Sequence, residues 1–342
     1  MTVAAPSVHA KHDYNMRSRG EPATMVPPAE PRSYYGRPVI KPPVWKDQIA
    51  WYFFSGGLGG ASMTLAAGAR LSGNDVLARR ALLASMSGLS VGPPLLITDL
   101  GRPWRFANML RVAKPTSPMS VGTWVFTTLG TCAGAATASD VLGIARPAGR
   151  AAELVGGVLG TVAATYTAVL LSDTAVPVWR DARAELPFVF AGSSAASAGA
   201  AASLLTPPRA AAPARRLCIL GVATEITAAK LMRRRLGAVG TPLRDGKAGV
   251  FARAATALSA AGALLLAGGG RRRSIAIPAS IAVLAGSACE RLAIFRAGFA
   301  SSLDPRFTVG PQRARLSEGP RRRTSYPSSA EDDVASYPDT RS

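Results

Sequence analysis

The densest group of chemically useful side chains is Asp99-Leu100-Gly101-Arg102-Pro103-Trp104-Arg105-Phe106. A carboxylate and a guanidinium three residues apart, with a glycine between them, suit a compact turn. In it Asp99 accepts backbone N–H groups and Arg102 pairs with Asp99. Trp104 and Phe106 are rings that favour the boundary between lipid and water. Taken from the residues alone, the string reads as an interfacial turn with a local ion pair. Two more carboxylates, Glu225 and Glu290, stand inside apolar runs, where a charge is costly. Such a group either relays protons or pairs with an arginine of a neighbouring helix. Lys230 lies five residues from Glu225, a poor helical pairing, and Arg291, adjacent to Glu290, shares no helical face with it. Asp140, Glu153 and Asp173 lie near the ends of apolar runs and present the same choice. Tyr166 carries a phenol that can donate a hydrogen bond and stay neutral in lipid. It reads equally as a tyrosine of the interfacial belt.

Other chemistries are excluded. Cys132, Cys218 and Cys289 are far apart and sit in apolar runs, with no CxxC and no Cys/His cluster. The chain therefore supplies no iron–sulfur cluster and no zinc site. The only histidines, His9 and His12, lie in a polar N-terminal segment, so a membrane haem of the b type lacks its usual axial ligands. No phosphate-binding glycine loop and no Ser/His/Asp set occurs. A net charge of +20 could signal nucleic acid, but 48% hydrophobic residues against 18% charged ones point to a membrane protein with basic loops.

The elements that position these residues are eight apolar stretches: 48–69, 78–98, 119–142, 152–171, 186–205, 217–232, 250–268 and 275–295. Most approach the roughly 20 residues that a helix needs to cross the hydrocarbon layer. The sixth, which holds Glu225, and the Ala/Ser/Gly-rich fifth are the weakest. Small residues at Gly56 and Gly60, and at Gly156 and Gly160, allow close helix packing. The expected fold is therefore an all-α integral membrane domain over 48–297. It is flanked by a proline-rich polar tail over 1–47, which is not a cleavable signal peptide, and by a basic, polar, disordered tail over 298–342. Arg321-Arg322-Arg323 in the second tail could contact anionic lipid, or could simply be a solvated flank. Basic residues concentrate in the tails and in the loops after the even-numbered stretches. The positive-inside rule then places both termini in the cytoplasm, an orientation that rests mainly on the flanks of the first and last stretches.

The string at 99–106, followed by Lys114-Pro115-Thr116-Ser117-Pro118-Met119-Ser120-x-Gly122-x-Trp124, resembles the polysulfide reductase membrane-subunit family (NrfD/PsrC). Weaker similarities are Trp51-Tyr52-Phe53-Phe54-Ser55-Gly56-Gly57-Leu58-Gly59-Gly60, the segment Tyr166 to Ser172, and Leu186-Pro187-Phe188-Val189-Phe190. The resemblance runs in order over about residues 45–300, and in its second half mainly through hydropathy. It implies two four-helix bundles and no redox cofactor carried by this chain. It further implies a bound menaquinone or ubiquinone, a ferredoxin-like iron–sulfur partner and a molybdopterin catalytic subunit, in the cell (inner) membrane. By the same resemblance Tyr166 takes the place of the family's quinone tyrosine and Gln48 that of an amide. Trp51 stands where the family has a histidine, which it cannot replace as a titrating group. Asp99, Arg102 and Glu225 complete the expected site. Two other readings are a small-solute transporter coupled through Glu225 and Glu290, for which no internal repeat is evident, and a purely structural anchor.

Overall fold

The computed structural model describes residues 38–317. Among them all regular structure is helical: α1 (Asp47–Leu71), α2 (Asp75–Asp99), α3 (Arg105–Arg111), α4 (Pro118–Leu142), α5 (Arg146–Ser172), α6 (Pro177–Asp181), α7 (Leu186–Leu205), α8 (Ala212–Leu236), a 3₁₀ turn (Thr241–Leu243), α9 (Gly246–Gly269), α10 (Arg273–Leu303) and α11 (Arg306–Ser317). Each apolar stretch of the sequence became one long helix. Their starts follow local chemistry. Asn74 caps α2 by accepting the Leu77 N–H, and Ser117 caps α4 by accepting that of Ser120. Proline occupies the first turn of α4, α5, α7 and α8, where its missing N–H costs nothing. Gly143, at φ 71°, closes α4 with the left-handed turn that glycine adopts freely.

Among the described residues five helices are long and apolar enough to cross a membrane: α2, α5, α7, α9 and α10. The fifth stretch, weak by composition, is among them as α7. The sixth, α8, is not, because charges run along it: Arg215 and Arg216 in its first turn, Glu225 and Lys230 within it, and Arg233, Arg234 and Arg235 in its last turn. α1 and α4 fall short as well, since glycine, serine and threonine dilute their leucine and valine.

Helix α1 packs on α2 and α5, while α4 packs on α5 and α2. Helices α7 and α10 pack together, α8 lies along α7, and α9 lies along α10. α1 and α5 meet α7, and α1 also touches α10. The tightest crossing in the first group brings Gly60 of α1 against Gly160 of α5, where a Cβ on Gly60 would stand 2.9 Å from the Gly160 carbonyl oxygen. Both small-residue pairs thus act in packing, as the sequence suggested. The largest core cluster joins the two groups around Phe53, Trp179, Phe190 and Phe295.

Two boundaries differ from expectation. The stretch expected to end at 295–297 continues as α10 to Leu303, and Arg306–Ser317 forms α11, so the first part of the expected disordered C-terminal tail is helical. Asp304 caps that helix. Its carboxylate takes the Arg306 N–H and guanidinium, and these hydrogen bonds hold it below the usual carboxylate range. Most of the expected N-terminal tail, with His9 and His12, and the arginine run at 321–323 lie outside the described residues.

Candidate functional site: a ring-lined cavity

A cavity of about 160 Å³ opens between the start of α1, the end of α2, α3, the start of α4 and the end of α5. Its walls are mostly apolar, with Ile49, Phe53, Leu89, Leu96 and Phe126 among them. The polar groups on it are Trp45, Tyr52, Asp99, Thr123, Thr127 and Tyr166. Phe126 lies between the two phenols, its centroid 5.7 Å from that of Tyr52 and 6.0 Å from that of Tyr166.

Local sequence explains each placement. On α1, Ile49, Tyr52, Phe53 and Gly56 follow helical spacing, so they form one face and turn together into the cavity. Pro93 and Pro94 lie near the end of α2, and Gly92 beside them leaves space facing Tyr52. The segment after α3 is held by side chains. Trp124 Nε1 donates to the Val112 carbonyl over 3.1 Å, and Ser120 Oγ donates to the same carbonyl over 2.8 Å. That fixes Pro118, whose carbonyl accepts the Tyr166 hydroxyl. The phenol of Tyr166 lies flush on Gly122, where any Cβ would overlap it.

Two residues singled out from sequence, Asp99 and Tyr166, come together on this cavity. Asp99 is half-buried and its Oδ1 accepts the Lys46 backbone N–H over 3.0 Å, which ties the start of α1 to the end of α2. The expected Asp99–Arg102 ion pair does not form. Arg102 is exposed, beyond the bend at Gly101 (φ 70°), and Lys46 takes its place as the partner of Asp99. Gln48 is half-buried in the first turn of α1 and is not on the cavity wall. Trp51 is 45% exposed and packs edge-on against Phe54, since it sits about 200° around the helix from Ile49. Sequence reasoning passed over Tyr52, Phe126 and Trp45. The spacing of positions 49, 52, 53 and 56 was the signal for the first of them.

Glu225 lies apart from the cavity, on α8, in a second buried polar group with Glu290 and Arg291 of α10. Arg291 Nη2 donates to the Phe190 carbonyl and to Ser194 Oγ, each over 3.0 Å, and the guanidinium carbon stands 3.6 Å above the Phe190 ring. Both carboxylates feel the Arg291 charge, yet among the described residues neither forms an ion pair with it. Glu225 Oε2 and the Nε and Nη1 of Arg291 are buried without a partner. No cluster of histidine, cysteine, aspartate and glutamate suited to a metal occurs among the described residues.

Long apolar helices mark an integral membrane protein, here with a small, mostly apolar, ring-lined cavity at one end. The family model of polysulphide reductase, NrfD, matches residues 39–230, more than half of the chain, and the chain belongs to that family. Membership places it among the membrane subunits of quinone-linked oxidoreductase complexes. The matched region contains the whole cavity and ends inside α8, just beyond Glu225. A comparison with curated proteins returned no match.

Proposed function

We propose that the cavity receives the head of a membrane quinone, menaquinone or ubiquinone, and that the chain passes electrons between it and an iron–sulfur cluster of a ferredoxin-like partner. A molybdopterin catalytic subunit lies beyond that partner. In this reading the eight long helices all span the cell membrane, as two four-helix sets, α1, α2, α4, α5 and α7 to α10, with both termini on the cytoplasmic side. The carrying observation is the cavity itself. Its volume of about 160 Å³ has room for the carbonyl-bearing ring of a quinone, with the rest of the head and the tail in the opening. Its aromatic lining suits stacking. Asp99 and Tyr166 give it a polar wall at the membrane edge, beside the segment 99–118, which is the proposed docking surface.

Each group has a defined part. The Asp99 carboxylate accepts hydrogen bonds from the hydroxyls of the reduced ring. The Tyr166 oxygen keeps a lone pair that does the same. Reduction of a quinone takes two electrons, which come from the partner's cluster, and two protons. Glu225 holds a proton within the membrane on a path that supplies or removes them. Gln48 and Arg102, which do not line the cavity, are assigned to the partner or to the quinone tail, and Trp51 faces lipid.

The test is Gly92→Leu. A Cβ at Gly92 meets the Tyr52 ring at 3.5 Å and Ser55 Oγ at 3.6 Å, both ordinary contacts, so the substitution fills the cavity with little strain, and leucine favours the helix more than glycine does. Quinone-linked electron transfer by the purified complex is expected to disappear. The partner subunits should still co-purify and still reduce an artificial dye. Unchanged quinone turnover would place the quinone elsewhere.

A further inference from the structure

Resting on that reading, we propose that the Tyr52 hydroxyl is the donor that holds the quinone carbonyl in this cavity. A quinone carbonyl only accepts hydrogen bonds, so the wall must present a free donor hydrogen. Most of the polar groups on the wall have none to spare. The single hydroxyl hydrogen of Tyr166 goes to the Pro118 carbonyl. Thr123 donates to Met119 over 2.9 Å and Thr127 to Thr123 over 2.7 Å, each within its own helix. Asp99 as a carboxylate has only acceptors.

Two donors remain. The Trp45 indole lies nearly flat on Trp179, with centroids 5.8 Å apart and planes 22° apart, and is packed toward the other group of helices. Tyr52 is 9% exposed and lines the cavity, and its hydroxyl makes no hydrogen bond among the described residues. Its oxygen is also not sealed in protein as those of Ser62 and Thr167 are. A phenol that is buried, unpartnered and yet open has the cavity as its open side. Phe126 separates it from Tyr166, so a ring entering between the walls meets a donor from α1 on one side. On the other it meets the acceptor oxygen of Tyr166, while Asp99, which accepts the Lys46 N–H at the start of α1, adds a carboxylate at the end of α2. Such a site reads oxidation state: Tyr52 holds the oxidised carbonyl, and Asp99 and Tyr166 hold the hydroxyls of the reduced ring.

The experiment uses the full chain in its purified complex, loaded with menaquinone-4 carrying ¹³C at its carbonyls, and reads the carbonyl stretch by infrared difference spectroscopy. In the unsubstituted protein one carbonyl should lie below its free frequency. Tyr52→Phe removes one oxygen and keeps the ring, so the packing survives. It should return that carbonyl toward the free frequency and raise the dissociation constant of menaquinone-4 about threefold to tenfold, the range of one neutral hydrogen bond. Tyr166→Phe and Trp45→Phe should leave the carbonyl displaced. A carbonyl still displaced in Tyr52→Phe, or released instead by Trp45→Phe or Tyr166→Phe, overturns the assignment while the quinone cavity stands. Binding of menaquinone-4 that Gly92→Leu does not weaken, or no binding at all, overturns both.

Discussion

Arg70 and Arg291 are both inward-facing arginines near three or fewer carboxylates, but their surroundings differ. Arg70, at the end of α1, spends every side-chain nitrogen on a different helix partner. Nη1 meets Asp75 at 2.8 Å, Nη2 meets Asp140 at 3.2 Å and Nε meets Glu153 at 3.0 Å. Arg79 adds a second contact to Asp140 at 2.7 Å, so α1, α2, α4 and α5 are tied together by charge at the end away from the cavity. Arg291 has hydrogen bonds through Nη2 alone, and its other two nitrogens stay buried and unpartnered. The first cluster is arranged as a clasp. The first leaves one buried acceptor unpartnered, Glu153 Oε1; the second leaves Glu225 Oε2 and two nitrogens of Arg291, donors as well as an acceptor, the condition expected where a proton or water has to be exchanged rather than where helices are fastened.

The largest effect should separate the two. Arg70→Ala leaves the 97%-buried Glu153 without its cation, while Asp140 keeps Arg79, and removal of one partner from a buried ionic group costs about 3–5 kcal/mol. Arg291→Met loses two hydrogen bonds and the contact with the Phe190 ring, but it also removes two unsatisfied nitrogens, so about 1–2 kcal/mol is expected. Unfolding titrations in detergent measure both. Equal losses would mean that the Arg291 group fastens helices as the Arg70 group does.

The ranking reverses for function. Glu225→Gln keeps shape and hydrogen-bonding capacity but cannot ionise, and its Oε2 has no partner to lose. Stability should change by less than about 1 kcal/mol, as for other near-isosteric changes that break no contact. Quinone-linked turnover should fall roughly tenfold, less than for a group that acts directly on the reacting atoms. A stable variant with full turnover would take Glu225 out of the proton path.

The sequence made the two clusters look alike, and the reason is distance along the chain. Asp140 and Glu153 lie 70 and 83 residues from Arg70, so nothing local marks them as its partners. The same holds for Asp99. Its partner is the backbone of Lys46, 53 residues earlier, whereas Arg102 lay close enough in sequence to suggest the wrong pair. The helices themselves were legible, because an apolar run of some twenty residues has few other structures open to it. Their ends were less so. α10 outran its apolar stretch because serine, alanine and glycine continue a helix without hydrophobicity to mark it. The face of α1 that meets the cavity was hidden because glycine and aromatic residues occur all round that helix. Family resemblance directed attention to Gln48 and Trp51, while the spacing of Ile49, Tyr52, Phe53 and Gly56 held the answer.

The smallest effect locates where the clasp has its strength. Asp75 contacts Arg70 at 2.8 Å, the shortest of the three contacts Arg70 makes, but its side chain is 74% exposed against 4% for Glu153. Water solvates an exposed carboxylate almost as well as a guanidinium does, so the pair gains little beyond what solvent already supplies. Asp75 is also the first residue of α2, where a negative charge favours the helix dipole, and asparagine retains the oxygen but not the charge. Asp75→Asn should therefore cost no more than about 1 kcal/mol in the same detergent titration, and that cost should shrink as salt is added. A loss near that of Arg70→Ala would place the strength of the clasp at its exposed rim. A small, salt-sensitive loss assigns it to Asp140 and Glu153, between the helices.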